Sequence, residues 1–180
     1  VFDKDGRLIA NAPHVPVHLG AMGETVRDLI SRHDQDLAPG TAWASNDPYA
    51  GGSHLPDITV TRPVFHSGRR IAFVASRGHH IDVGGITPGS MPPDAVHLDE
   101  EGLCLRQVCI GRDASFLAPS LPGCRQPEDV LADLEAQVAA AAHGSQAIAS
   151  LIREMGTEGF EAQLGHLRDH AARSVRAVLP

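Results

Sequence analysis

The sequence predicts an α+β fold. A β-hairpin-rich core carrying a metal site spans residues 1–126, and a helical segment of the same domain follows over 127–180. Three observations carry that reading. Two apolar, β-branched runs, 58–65 and 71–76, lie side by side and are joined by the polar turn His66-Ser67-Gly68-Arg69-Arg70. His/Asp clusters stand at both outer ends of this pair. From Pro127 onward the composition shifts to Ala, Leu and Val at helical spacing.

Taken in order, residues 1–10 read as strand–turn–strand with Asp5-Gly6 at the turn. The pattern is already under way at Val1 and no Met precedes it, so the chain is read as a fragment of a longer protein. Asn11-Ala12-Pro13 ends the hairpin. His14 and His18 then lie four apart around Pro16, and the proline favours an extended path over a helix. These histidines either cap backbone in a buried loop or form a wall of the active site. His18, followed closely by Gly20, is taken as the substrate-facing one. Residues 23–33 carry Val26, Leu29 and Ile30 on one helical face, with Glu24 early and Arg32 late to suit the helix dipole. Pro39-Gly40 is a turn, and 41–45 a short strand.

Residues 46–53, NDPYAGGS, are turn chemistry throughout. Gly51-Gly52 has no P-loop pattern and no lysine after it, so phosphate cradling is rejected. The two glycines are read as letting backbone pack beside His54 near the substrate. Asp47 either caps the turn or reaches substrate or metal. Residues 84–93 form a punctuated, substrate-facing loop, and 103–110 alternate like another strand. Helices follow over 128–143 and 145–155, with Gly144 as a bend, and over 158–178, with a possible interruption at Gly165. His166 and His170 are read as surface residues there.

Composition narrows the function. The 180 residues carry a net charge of −7 and no basic patch, which argues against nucleic acid as a partner. No apolar run approaches a membrane span and no signal peptide is visible. Cys104, Cys109 and Cys124 are odd in number and lack CxxC spacing, so they are read as reduced thiols in a cytoplasmic protein. Closely packing Ala-rich helices suggest a homo-oligomer.

The chemistry lies in the 11 histidines, and above all in those at the hairpin ends. His54-Leu55-Pro56-Asp57 precedes the first strand, and His79-His80-Ile81-Asp82 ends the second. Paired strands are only about 5 Å apart, so the two clusters should meet. Imidazole with carboxylate suits Zn, Mn or Fe, and two histidines plus one carboxylate leave positions open for water and substrate. Neighbouring strand residues point to opposite faces, so His79 and His80 should not bind one ion. One would ligate, while the other, with Asp82, would orient ligands or act as general base. Arg62 and Arg77 are possible partners for a substrate carboxylate, or surface residues.

The stretches FDKDGRLIANAPHVPVHLGAM, NDPYAGGSHLPDITVTRPVF and ASRGHHIDVGGITPGSMPP resemble the hydantoinase B/oxoprolinase family. GSHLPDITV and RGHHIDVGGITPGSMPP resemble most the B-type region of ATP-hydrolysing 5-oxoprolinase. The resemblance implies a cytosolic ATP-dependent amidohydrolase that opens a small cyclic amide, 5-oxoproline, to glutamate, as in glutathione metabolism. An A-type (hydantoinase A) subunit or domain would supply ATP and Mg, and a divalent ion would sit at the B-type site. Its ligands would be His54, Asp57 and His79, with His80 and Asp82 as catalytic groups. Related members imply two alternatives, the B-type subunit of an N-methylhydantoinase or of an acetone-type carboxylase. A third alternative is a non-catalytic assembly module for the A-type partner.

Overall fold

The computed structural model describes residues 1–12, 16–112, 114, 115, 117, 121 and 123–179. His14 lies outside them. Five strands form one antiparallel sheet in the order β1-β4-β3-β2-β5: β1 (Phe2–Asp3), β2 (Ala42–Ser45), β3 (Asp57–His66), β4 (Arg69–His79) and β5 (Val108–Gly111). Helix α1 (His18–His33) covers one face and α3 (Pro127–Val178) the other, while the single turn α2 (Leu98–Glu101) lies between β4 and β5.

The hairpin β3–β4 is the spine of the fold. Ser67 and Gly68 both have positive φ, 49° and 77°, as a two-residue turn between twisted strands requires. Period-2 alternation then sorts side chains. Ile58, Val60 and Val64 of β3 and Ala72 and Val74 of β4 pack beneath Val130, Leu134, Ala141 and Ile148 of α3. On the other face Trp43 and Phe73 meet Val26 and Leu29 of α1 and Phe2 of β1.

Several boundaries differ from expectation, each for a physical reason. Helix α1 starts at His18 rather than at 23, so the path expected to be extended around His18 is helical. Pro16 lies just ahead of the first turn, where its fixed φ and missing N–H cost nothing. The strand expected over 103–110 is paired only at Val108–Gly111. Before it the Asn46 side chain substitutes for a strand, accepting from the Leu105 amide at 2.6 Å and donating to the Leu103 carbonyl at 2.8 Å. Helix α3 runs straight through Gly144 and Gly165. A side chain at Gly144 would stand 2.9 Å from Val74, so this glycine serves close helix–sheet packing. The break falls where the expected helices 145–155 and 158–178 part, at Gly156 (φ 76°, ψ 161°). Among the described residues no helix is long and apolar enough to cross a membrane.

Candidate metal centre

Asp57 opens β3 and His79 closes β4, and the register places them directly opposite each other. Both are on the α1 face. His54 reaches them from the turn before β3, where the Asp57 amide donates to the His54 carbonyl at 3.0 Å. His79 Nδ1 lies 3.0 Å from Asp57 Oδ1 and 3.2 Å from His54 Nε2, and His54 Nδ1 is 3.2 Å from Asp57 Oδ2. One ligand atom from each of the three falls within 4.8 Å of the others. Separations of 3.0–3.2 Å are close to the ligand–ligand edges, about 3.0–3.4 Å, of a coordination shell with bonds of about 2.0–2.1 Å. Two imidazoles and one carboxylate are also the donor set of open catalytic sites. The residues present therefore fit a divalent ion.

The electrostatics agree. Burial alone would raise the Asp57 carboxyl. The Ser53 hydroxyl and the His79 ring, with the nearby His54 and His18, outweigh burial and hold it below the usual carboxylate range. The anion is thus kept at the foot of the site, with Asp57 nearly inaccessible while His79 is exposed toward solvent.

The structure also brings His18 here, from the first turn of α1, with Nε2 3.7 Å from Asp57 Oδ2. Gly51 packs against α1 and Gly52 against the Asn46-Asp47 backbone. A Cβ on Gly51 would meet the Thr25 amide at 2.4 Å, and one on Gly52 the Asp47 carbonyl at 2.5 Å, so both glycines permit close backbone packing. Asp47 faces away. Its carboxylate accepts from the Tyr49 amide at 3.0 Å, capping the short 3-10 turn Pro48–Ala50, and from Arg106 at 3.1 Å.

His80 and Asp82 are not brought to the centre, and the reason is alternation plus distant partners. His80 points to the α3 face, fully buried, with Nε2 2.9 Å from Gln137 Oε1. Gln137 Nε2 donates to the carbonyls of Ile58 (2.9 Å) and Ser76 (3.1 Å), which turns its oxygen toward His80 and makes His80 Nε2 the donor. Burial lowers the pKa of this imidazole and favours the neutral ring. Asp82 clamps the 84–90 loop. It accepts from the Gly84 amide (2.7 Å), the Gly89 amide (3.1 Å) and Arg125 Nη1 (2.9 Å).

Three residues were not singled out as site supports from sequence: Gln137, Arg125, and Arg77 in the role seen here. Gln137 is a buried polar residue in an otherwise apolar helical stripe, and that was its only signal. Arg62 lies away from the centre, beside Arg112.

A cleft of about 660 Å³ opens beside the centre, lined by His18, Asp57, Arg77 and His79 on its polar side and by Met22 and Ala140 among its apolar residues.

The hydantoinase B/oxoprolinase family profile matches residues 1–180. 5-Oxoprolinase 1 of Arabidopsis thaliana is 43% identical over 195 residues, covering 99% of this chain and 15% of its own length. 5-Oxoprolinase of Dictyostelium discoideum is 41% identical over 183 residues, covering 99% and 14%. This chain therefore spans about 15% of the first and 14% of the second. The crystal structure of ATP-dependent caprolactamase from Pseudomonas jessenii superposes with a TM-score of 0.85 at 29% identity, over 91% of this chain and 29% of that one. Matched in sequence along its whole length and in fold over nearly all of it, the chain belongs to the hydantoinase B/oxoprolinase family.

Proposed function

We propose that this chain is the B-type part of an ATP-dependent amidohydrolase that opens 5-oxoproline, or a related cyclic amide such as a hydantoin, to the amino acid. The observation that carries the reading is the convergence of His54, Asp57 and His79 at the polar edge of the cleft. A divalent ion held there, Mn, Zn or Fe, supplies Lewis acidity toward a lactam carbonyl and a water acidic enough to act near neutral pH.

The chain's own residues prepare that chemistry. Asp57 stays ionised, and the Ser53 hydroxyl fixes one of its oxygens. Asp57 and His79 are paired across the open end of the hairpin, so rigid β pairing sets their spacing, and the hydrogen-bonded turn before β3 delivers His54 to them. His18 presents a ring nitrogen from the α1 side, where a proton can be held or passed. The Arg77 guanidinium borders the cleft, and its positive charge, acting through space, suits an anionic ring. The cleft suits a small ligand with one polar end. No ATP-binding motif occurs in the sequence, so ATP and Mg enter through an A-type partner in this reading, and the assembly works in the cytoplasm.

The test has two parts. Elemental analysis of the purified chain and of His54→Ala should find near-stoichiometric metal only in the former. With the A-type partner and ATP, the longer protein should convert 5-oxoproline to glutamate, and His54→Ala should abolish this. Turnover that survives in the variant, with equal metal in both, would sink the reading.

A further inference from the structure

Arg77 holds a position that its sequence context does not announce. It follows Ser76 on β4, two residues before His79 and on the same face, and is half-buried between the sheet and α1. Four of the five N–H groups of a guanidinium are placed here. Nε donates to Thr59 Oγ1 (2.7 Å), Nη1 to His18 Nδ1 (3.4 Å), and Nη2 to Thr25 Oγ1 (3.1 Å) and to the Gly51 carbonyl (2.6 Å). No carboxylate is among these partners. These four donors are engaged by neutral acceptors from β3, from α1 and from the loop that leads to His54.

An arginine can only donate, so the nitrogen it faces on His18 must accept. In the neutral ring the proton then resides on Nε2, which points at Asp57 Oδ2 from 3.7 Å. A protonated ring nitrogen has no lone pair for a metal. The alternative, a proton on Nδ1 and a free Nε2, would set an N–H against the guanidinium.

We propose that Arg77 is a positioning residue that fixes His18 as its Nε2–H tautomer, so that His18 serves the centre as a hydrogen-bond donor and not as a fourth ligand. The same guanidinium ties α1 and the Gly51 loop to the sheet, which sets the distance from His18 to the His54/Asp57/His79 group. The proposal deepens the metal-hydrolase reading and relies on it for its consequence, but the tautomer is a property of the metal-free chain.

Side-chain ¹H–¹⁵N correlation spectra of the labelled chain test it, recorded at mildly alkaline pH where imidazole is neutral. The His18 signals are identified by their loss in His18→Ala. The expected pattern is a protonated Nε2 and an unprotonated Nδ1 displaced from the free-acceptor position by the Arg77 bond. In Arg77→Met the Nδ1 signal should move to the free position. During a Zn²⁺ titration the His54 and His79 nitrogens should shift while His18 keeps its Nε2 proton. A proton on His18 Nδ1, or loss of the Nε2 proton on adding Zn²⁺, overturns the proposal. If Arg77→Met does not fold, the two measurements on the unsubstituted chain still decide. Should Zn²⁺ shift neither His54 nor His79, the metal reading falls, and the tautomer in the metal-free spectrum judges the Arg77 assignment separately.

Discussion

Asp57 and His79 face each other across the open end of the β3–β4 hairpin, with Asp57 Oδ1 3.0 Å from His79 Nδ1. A carboxylate buried at the first position of one strand is thus paired with an exposed imidazole at the last position of the next. Replacing Asp57 by Asn keeps the shape and removes the charge. The variant should bind Zn²⁺ at least about tenfold more weakly than the parent chain, since even indirect ligand supports are worth about 10–100-fold. Competition against a chromophoric chelator measures this. Equal affinities would take Asp57 out of the centre.

Gln137 bridges α3 to both central strands and to His80. Gln137→Leu strands the Ile58 and Ser76 carbonyls and the His80 Nε2–H in a buried setting. A buried polar group left without a partner costs about 1–3 kcal/mol. Urea unfolding should therefore show a loss of at least about 1 kcal/mol, as a lower midpoint at unchanged slope. An unaltered midpoint would mean that water replaces the amide at no cost.

Asp82 makes stability depend on acidity in a definite direction. Burial alone would raise its carboxyl, but the Gly84 and Gly89 amides and Arg125 outweigh this and hold it below the usual carboxylate range. As pH falls, the unfolded chain takes up this proton first, near pH ~3.9. The stabilisation is complete above about pH 5 and is lost as pH drops through the lower folded-state value. Asp82→Asn should unfold at lower urea than the parent at neutral pH, and the gap should narrow toward pH ~3. A gap of constant width would show that Asp82 contributes shape and not charge.

Gly51 has φ 84°, and a Cβ there would strike the Thr25 amide at 2.4 Å. The left-handed conformation alone costs a non-glycine residue about 1–2 kcal/mol, and the contact is with backbone that cannot rotate away. Gly51→Ala should destabilise by more than that figure and should separate α1 from the His54 loop. Thermal unfolding gives the first quantity and amide shifts of residues 18–25 the second. A change below about 1 kcal/mol with unmoved shifts would contradict the packing described here.

Much of the site was legible because it is built from local pattern. The alternation of 58–65 and 71–76 and the tight turn between them mark a hairpin whose outer ends must meet. Counting outward from the two-residue turn sets Asp57 opposite Gly78, and the bulge between Val64 and Phe65 shifts the register by one to bring it opposite His79. His54 follows because it is three residues from Asp57. The same alternation separates His79 from His80. Choosing between those two for the centre rested on the family resemblance. The roles of His80 and Asp82 could not be read, because their partners Gln137 and Arg125 lie 57 and 43 residues further along the chain. Asp47 shows the opposite case, since its Tyr49 amide partner is local and a turn cap was one of the two readings open for it.

By itself, then, the sequence determined the hairpin, the meeting of the two His/Asp clusters at its open end and the position of α3 in the chain, all through short-range periodicity and turn chemistry, whereas the bulge at Val64/Phe65 set the final register. Tertiary structure alone decided which polar residues support those donors. It laid α1 on one face and α3 on the other, placing Arg77 against His18 and Gln137 against His80. Such contacts depend on how whole elements pack, and the spacing of residues along one strand or helix carries no record of them.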